Sequence, residues 1–146
     1  MSDFRRLSDS FLASPQISEA DVAAAAALGV RLVVNNRPEG ESPDQTPGAA
    51  IEAAARAAGM DYVAIPIDHA GFSREQFDTL AQALDAADGP ALAYCRSGTR
   101  STLLWALAQA SRGADPSALA AAAAAAGYDL SPVAPALERL AADAGG

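Results

Sequence analysis

Short apolar runs alternate with longer stretches of helical spacing along this chain, and each apolar run ends in a polar cluster. Ser10 to Ala13 reads as a short edge strand, and Ser18-Glu19-Ala20-Asp21 has the form of a helix N-cap with acidic residues in its first turn. That helix runs to about Leu28, where Gly29 stops it, and Val30 to Val34 reads as a buried parallel strand ending in Asn35-Asn36-Arg37. Pro38 to Gly48 is a long loop of prolines, glycines and polar residues, and so a candidate wall of a site. A second helix from Ala49 to Ala58 closes on Gly59, and Tyr62 to Ile67 follows as a strand whose Pro66 marks its end or an edge position. Ser73-Arg74-Glu75-Gln76 is a capping box, after which Phe77, Leu80, Ala81 and Leu84 recur at helical spacing as far as Gly89-Pro90. Ala91 to Tyr94 is the central strand, and Leu103, Leu104, Trp105 and Leu107 belong to the helix behind it, Trp105 as core. Asp115-Pro116 and Ser131-Pro132 each place a cap before a proline at the first helical position, which predicts two more helices.

Strands alternating with helices predict an α/β fold with a small parallel-type sheet of four to five strands, flanked by helices on both faces. Ligands of such sheets bind beyond the carboxyl ends of the strands. Three of those ends carry polar groups: Asn35-Asn36-Arg37, Asp68-His69, and Cys95 to Ser101. The last is the most informative. Between the central strand and its helix, backbone N–H groups converge on one point and the helix dipole adds positive potential there, so an anion should sit over Cys95. A thiol in that field, beside Arg96 and Arg100, is expected to ionise well below its free value of about 8.5, in the range of roughly 3.5 to 7.5. A lone cysteine is commonly a small buried hydrophobe. Here the continuation Arg96-Ser97-Gly98-Thr99-Arg100-Ser101 does not suit a packed strand end, and Gly98 permits the tight turn or close ligand approach of an anion loop.

Composition narrows the choices. At 146 residues the chain is long enough for one domain, residues 1–146, around a single core. No segment approaches the roughly 20 apolar residues of a membrane span, and the alanine run near position 120 reflects helix propensity. The first residues, Met1 to Asp9, contain two arginines with no apolar stretch behind them, so a cytoplasmic protein is expected. A net charge of −8 argues against nucleic acid or an anionic membrane as partner. With one cysteine and one histidine, an internal disulfide is excluded and a protein-only zinc site or other cofactor is not expected. Arg37, Arg96 and Arg100 form a local positive spot on an acidic body, which suits a small anion. The oligomeric state has no signature in these residues.

Cys95 to Ser101, together with Ser14-Pro15-Gln16-Ile17-Ser18 and Val33 to Glu41, resembles the bacterial family of beta-lactamase-hydrolase-like, phosphatase-like domains, also called a sulfur transferase family. The resemblance covers roughly residues 3 to 112. It implies a fold like that of the dual-specificity (protein tyrosine) phosphatases. Loop length points elsewhere, because tyrosine phosphatases use Cys-x5-Arg and this chain has Cys95-x4-Arg100, as rhodanese sulfurtransferases do.

The resemblance therefore implies two reactions on a small anionic sulfur or phosphate substrate. In the favoured one, the Cys95 thiolate takes the outer sulfur of thiosulfate or a persulfide and passes it to a thiol or cyanide. Arg100 and the loop amides then hold the donor, Arg96 supplies further positive charge, Arg37 either binds the donor or braces Glu39 or Glu41, and Ser97, Thr99 and Ser101 donate to the sulfur, with Gly98 shaping the loop. In the second reaction, a phosphatase, Asp68 protonates the leaving oxygen; its plainer role is that of a turn residue. Tyr94 occupies the position before the cysteine where both relatives commonly carry histidine, and His69 is either a substitute or a solvent-exposed loop residue.

Overall fold

The computed structural model describes residues 2–145 of the chain. Five strands form one sheet: β1 (Arg5–Ser8), β2 (Phe11–Ser14), β3 (Leu32–Asn35), β4 (Asp61–Ala64) and β5 (Ala91–Tyr94). Their order across the sheet is β1-β2-β5-β3-β4. The helices are α1 (Glu19–Ala27), α2 (Gly48–Ala57), α3 (Arg74–Ala86), α4 (Thr99–Ser111), α5 (Pro116–Ala125) and α6 (Ala134–Gly145), with a single 3-10 turn at Ser131–Val133 before α6.

Three expectations need correcting, the edge place of the strand at Ser10 to Ala13 and the bounds of two others. A strand not foreseen in the sequence, β1, pairs antiparallel with β2 through Arg5–Ala13 and Arg6–Leu12, so the sheet is mixed. Consequently β2 is interior, hydrogen-bonded on its other side to β5 in parallel register, with Phe11 opposite Ala91 and Ser14 opposite Tyr94. Arginines at positions 5 and 6 hid the strand, because an edge strand needs only one buried residue, Leu7, to pack. The strand predicted at Val30 begins at Leu32, and the one predicted to reach Ile67 ends at Ala64, ahead of Pro66.

The local signals explain most elements. Ser18 caps α1 reciprocally with Asp21, as Ser73 caps α3 with Gln76. Asp115 caps α5, with Pro116 at its first position. The central strands are buried on both faces, so their side chains divide between two cores. Leu12, Val33, Leu92 and Tyr94 pack under α1 and α2 with Ile17, Val22 and Ile51. Ala13, Val34 and Ala93 face α3 to α6 with Leu80, Leu104, Trp105 and Leu137. Phe11 meets Trp105 with ring centroids 6.0 Å apart. Small residues on this second face let α4 sit close to the sheet, which places its N-terminus directly after β5. Among the described residues, no helix is long and apolar enough to cross a membrane.

Candidate active site

β5 ends at Tyr94, and the next four residues turn the chain into α4. Gly98 makes the turn possible: its φ of 92° lies in the left-handed region, and it serves as the N-cap with no side chain to occupy the amides. The segment after β2 braces the loop, with Gln16 N–H donating to the Arg96 carbonyl at 3.2 Å and Cys95 N–H reaching the Ser14 carbonyl at 3.4 Å. Inside the turn, Gly98 N–H donates to Cys95 Sγ at 3.1 Å. The sulfur therefore faces the Gly98 amide. It is also covered, with 0 % of the residue exposed.

Arg100 follows in the first turn of α4, where hydrogen bonding to Glu41 raises its pKa and, against the cost of burial, the charge of the nearby Cys95 sulfur raises it further. Its guanidinium is committed on two sides, donating through Nη1 and Nη2 to the two Glu41 oxygens at 2.8 Å each and through Nη1 to the Ile67 carbonyl at 2.6 Å. Nε and the second hydrogen of Nη2 are the remaining donors of the fork. Glu41 also accepts from Arg37 Nε at 3.0 Å. Held first by hydrogen bonding to Arg100 and further by Arg37, against an opposing cost of burial, the Glu41 carboxyl is lowered to about 2.

The other expected site residues divide clearly. Arg37, expected either to bind the anion or to brace a nearby glutamate, is a buried brace: beside Glu41 it donates to Gln16 Oε1 at 2.9 Å and Ser42 Oγ at 3.1 Å, so every nitrogen of its fork is engaged. Ser97 and Thr99, expected to donate to the sulfur, are exposed and hydrogen-bonded to each other at 3.0 Å. Ser101 is fully buried with Oγ unpartnered. Arg96 is exposed and forms no ion pair among the described residues. Tyr94 turns away from the loop into the α1/α2 core, its phenol pushed up by burial and its hydroxyl without a partner.

Asp68 and His69 come to the site from the opposite side. With Glu41, Phe72 and Arg100 they line an open cavity of about 680 Å³. Asp68 Oδ1 accepts from Ala70 N–H at 2.9 Å, which makes it the turn residue of its loop and aims the loop across the cavity mouth. The loop Pro38 to Gly48 is the other wall. Glu39 accepts from the Gly48 amide at 3.0 and 3.1 Å, where the helix α2 has no side-chain cap of its own, and Gln45 ties the loop across itself to Pro38 and Glu41. Among the described residues no group of three or more His, Cys, Asp and Glu could hold a metal ion.

Sequence reasoning missed two partners of the loop. Glu41 was read only as something Arg37 could brace, and Tyr128 was not singled out. Tyr128 Oη donates to the Ser97 carbonyl at 3.2 Å.

The family described as "Beta-lactamase hydrolase-like protein, phosphatase-like domain" matches residues 3–112. A beta-lactamase hydrolase-like protein of Agrobacterium fabrum is 33% identical over 105 residues, which are 72% of this chain and 24% of that protein; the chain thus spans about a quarter of that relative. Among solved structures, a candidate phosphatase of Neisseria meningitidis is 30% identical with a TM-score of 0.84, the match covering 96% of this chain and 99% of that one. The TpbA protein of P. aeruginosa, solved in complex with pTyr, superposes with a TM-score of 0.67 at 19% identity, over 99% of this chain and 91% of that one, which bears on the fold. The fold is that of the tyrosine and dual-specificity phosphatases.

Proposed function

The chain belongs to this family of phosphatase-like domains, and on that footing we propose that it is a cysteine-dependent phosphatase acting on small phosphate monoesters. One observation carries the reading: Arg100, in the first turn of the helix that follows the Cys95 turn, shares a single cavity with Asp68, which sets a charge clamp and a proton donor beside the loop of the nucleophile.

In this mechanism the Cys95 thiolate attacks phosphorus, the ester P–O bond breaks, and the leaving oxygen takes the electron pair and a proton from Asp68. Arg100, through Nε, and the loop amides hold the phosphoryl oxygens as charge develops. Water then attacks the phosphocysteine, giving its proton to the Asp68 carboxylate, and the thiolate leaves.

Sulfur transfer, the reaction expected first from the sequence, keeps one observation in its favour: Cys95-x4-Arg100 is one residue shorter than a phosphatase loop. Thiolate attack on the outer sulfur of thiosulfate would release sulfite and leave a Cys95 persulfide, and a thiol or cyanide would take up the sulfur. No general acid is needed, since sulfite leaves as a stable anion.

A side-by-side assay separates the two. Phenol release from an aryl phosphate should disappear in Cys95→Ser and fall about 10²- to 10⁴-fold in Asp68→Asn. Thiocyanate formation from thiosulfate and cyanide, with no phosphate turnover and no effect of Asp68→Asn, would overturn the phosphatase reading in favour of sulfur transfer.

A further inference from the structure

The peptide unit between Ser97 and Gly98 is held from both sides. Its N–H donates to Cys95 Sγ at 3.1 Å, and its carbonyl accepts from Tyr128 Oη at 3.2 Å. In a trans peptide these two groups point in opposite directions, so a bond on the carbonyl side fixes the direction of the amide on the sulfur side. The unit sits in a glycine turn, where rotation of the peptide plane is least hindered. Without an anchor it could turn its N–H away from the sulfur.

Tyr128 is itself built into place. Its ring lies under the Arg5 guanidinium, 5.2 Å from the centroid, and Arg5 also donates to the Ala126 carbonyl at 3.2 Å and pairs with Asp3. A Cβ added at Gly98 would meet Tyr128 Oη at 2.1 Å, so loop and phenol are in direct contact. Burial pushes the phenol up, Arg5 opposes this and the charge of the Cys95 sulfur adds to it, which keeps Oη a proton donor across the neutral range.

We propose that Tyr128 is a positioning residue: through the Ser97 carbonyl it aims the Gly98 amide at the Cys95 sulfur, and so ties the C-terminal helices to the ionisation of the nucleophile. It lies outside residues 3–112, the part matched by the family. The proposal rests on the reading of Cys95 as a thiolate nucleophile. Hydrogen bonds in series polarise one another, so the phenol also strengthens the donor it orients.

The test uses the fact that Cys95 is the chain's sole cysteine. Thiolate absorbance at 240 nm as a function of pH then reports on this one group, with no substrate present. Tyr128→Phe keeps the ring under Arg5 and removes only the donor. Its thiol midpoint should rise by about half a unit, and kcat/KM toward 4-nitrophenyl phosphate should fall about three- to tenfold. Arg5→Met loosens the same segment while leaving the hydroxyl, and should lower the melting temperature without moving the thiol. An unchanged midpoint in Tyr128→Phe, or an equal rise in both variants, overturns the proposal. If the unaltered protein titrates at the free-thiol value of about 8.5 and turns over nothing, the thiolate reading itself falls, and this proposal with it.

Discussion

Two regions far apart in the chain grip the cysteine loop, and they do so by different physics. The loop Pro38 to Gly48 reaches Arg100 through Glu41, an ionised carboxylate with two short bonds to a guanidinium. The stretch after α5 reaches the Ser97–Gly98 peptide through the neutral hydroxyl of Tyr128. A charged clamp is strong but depends on pH and salt. A neutral one is weaker and indifferent to both. The loop thus has its charge-bearing arginine held by charge and its directional amide held by direction, which is what each group needs.

The contrast can be broken most severely at the point where the charged clamp and the sulfur meet. Arg100→Lys keeps the charge but loses the planar fork that serves Glu41 and substrate together; kcat/KM should drop about 10²- to 10³-fold in steady-state kinetics. Next comes Glu41→Gln, which frees Arg100 from its seat. Activity should fall about ten- to a hundredfold, and stability in urea melts by about 1–3 kcal/mol.

The same substitution tests the sign of the pH dependence. Because the folded-state pKa of Glu41 is depressed to about 2 from a reference near 4.5, its contribution is fully present above the reference value and is lost as pH falls toward the folded value. The unaltered protein should therefore lose stability between about pH 5 and 2 more steeply than Glu41→Gln, as read from unfolding midpoints at each pH. Equal slopes would show that Glu41 is not the group responsible.

On the neutral side, Gly98→Ala forces a side chain into a left-handed backbone and against the Tyr128 hydroxyl, and should cost about 1–3 kcal/mol by the same melts. The smallest effect is expected at Arg96, which is exposed and unpaired: Arg96→Ala should alter kcat/KM by less than about threefold, mostly as a loss of salt dependence.

Much of the fold was legible because its signals are local. A capping box acts across three residues, as Ser73 and Gln76 do; glycine at a helix end acts on the next turn; a strand-loop-helix around one cysteine spans a dozen positions. The turn that carries Cys95 between β5 and α4 was placed this way. The hairpin strand β1 was missed because its pattern is too short and too polar to register. The mutual bond of Ser97 and Thr99 was not foreseen, because spacing places a residue near a site without saying which way its side chain turns. For the same reason Arg37 stood between binding an anion and bracing a glutamate until Gln16, Glu41 and Ser42 filled its fork.

What the order of residues determined by itself is therefore the chemistry on offer: one thiol, at the end of a buried strand, before a glycine turn and a helix. Only tertiary structure decided how that thiol is held, since Glu41 lies 59 residues from Arg100 and Tyr128 lies 31 from Ser97. Such bonds have no period in the sequence. They exist because two sets of helices pack on opposite faces of one sheet and bring their connecting segments to the same edge, where polar groups leaving water must find partners.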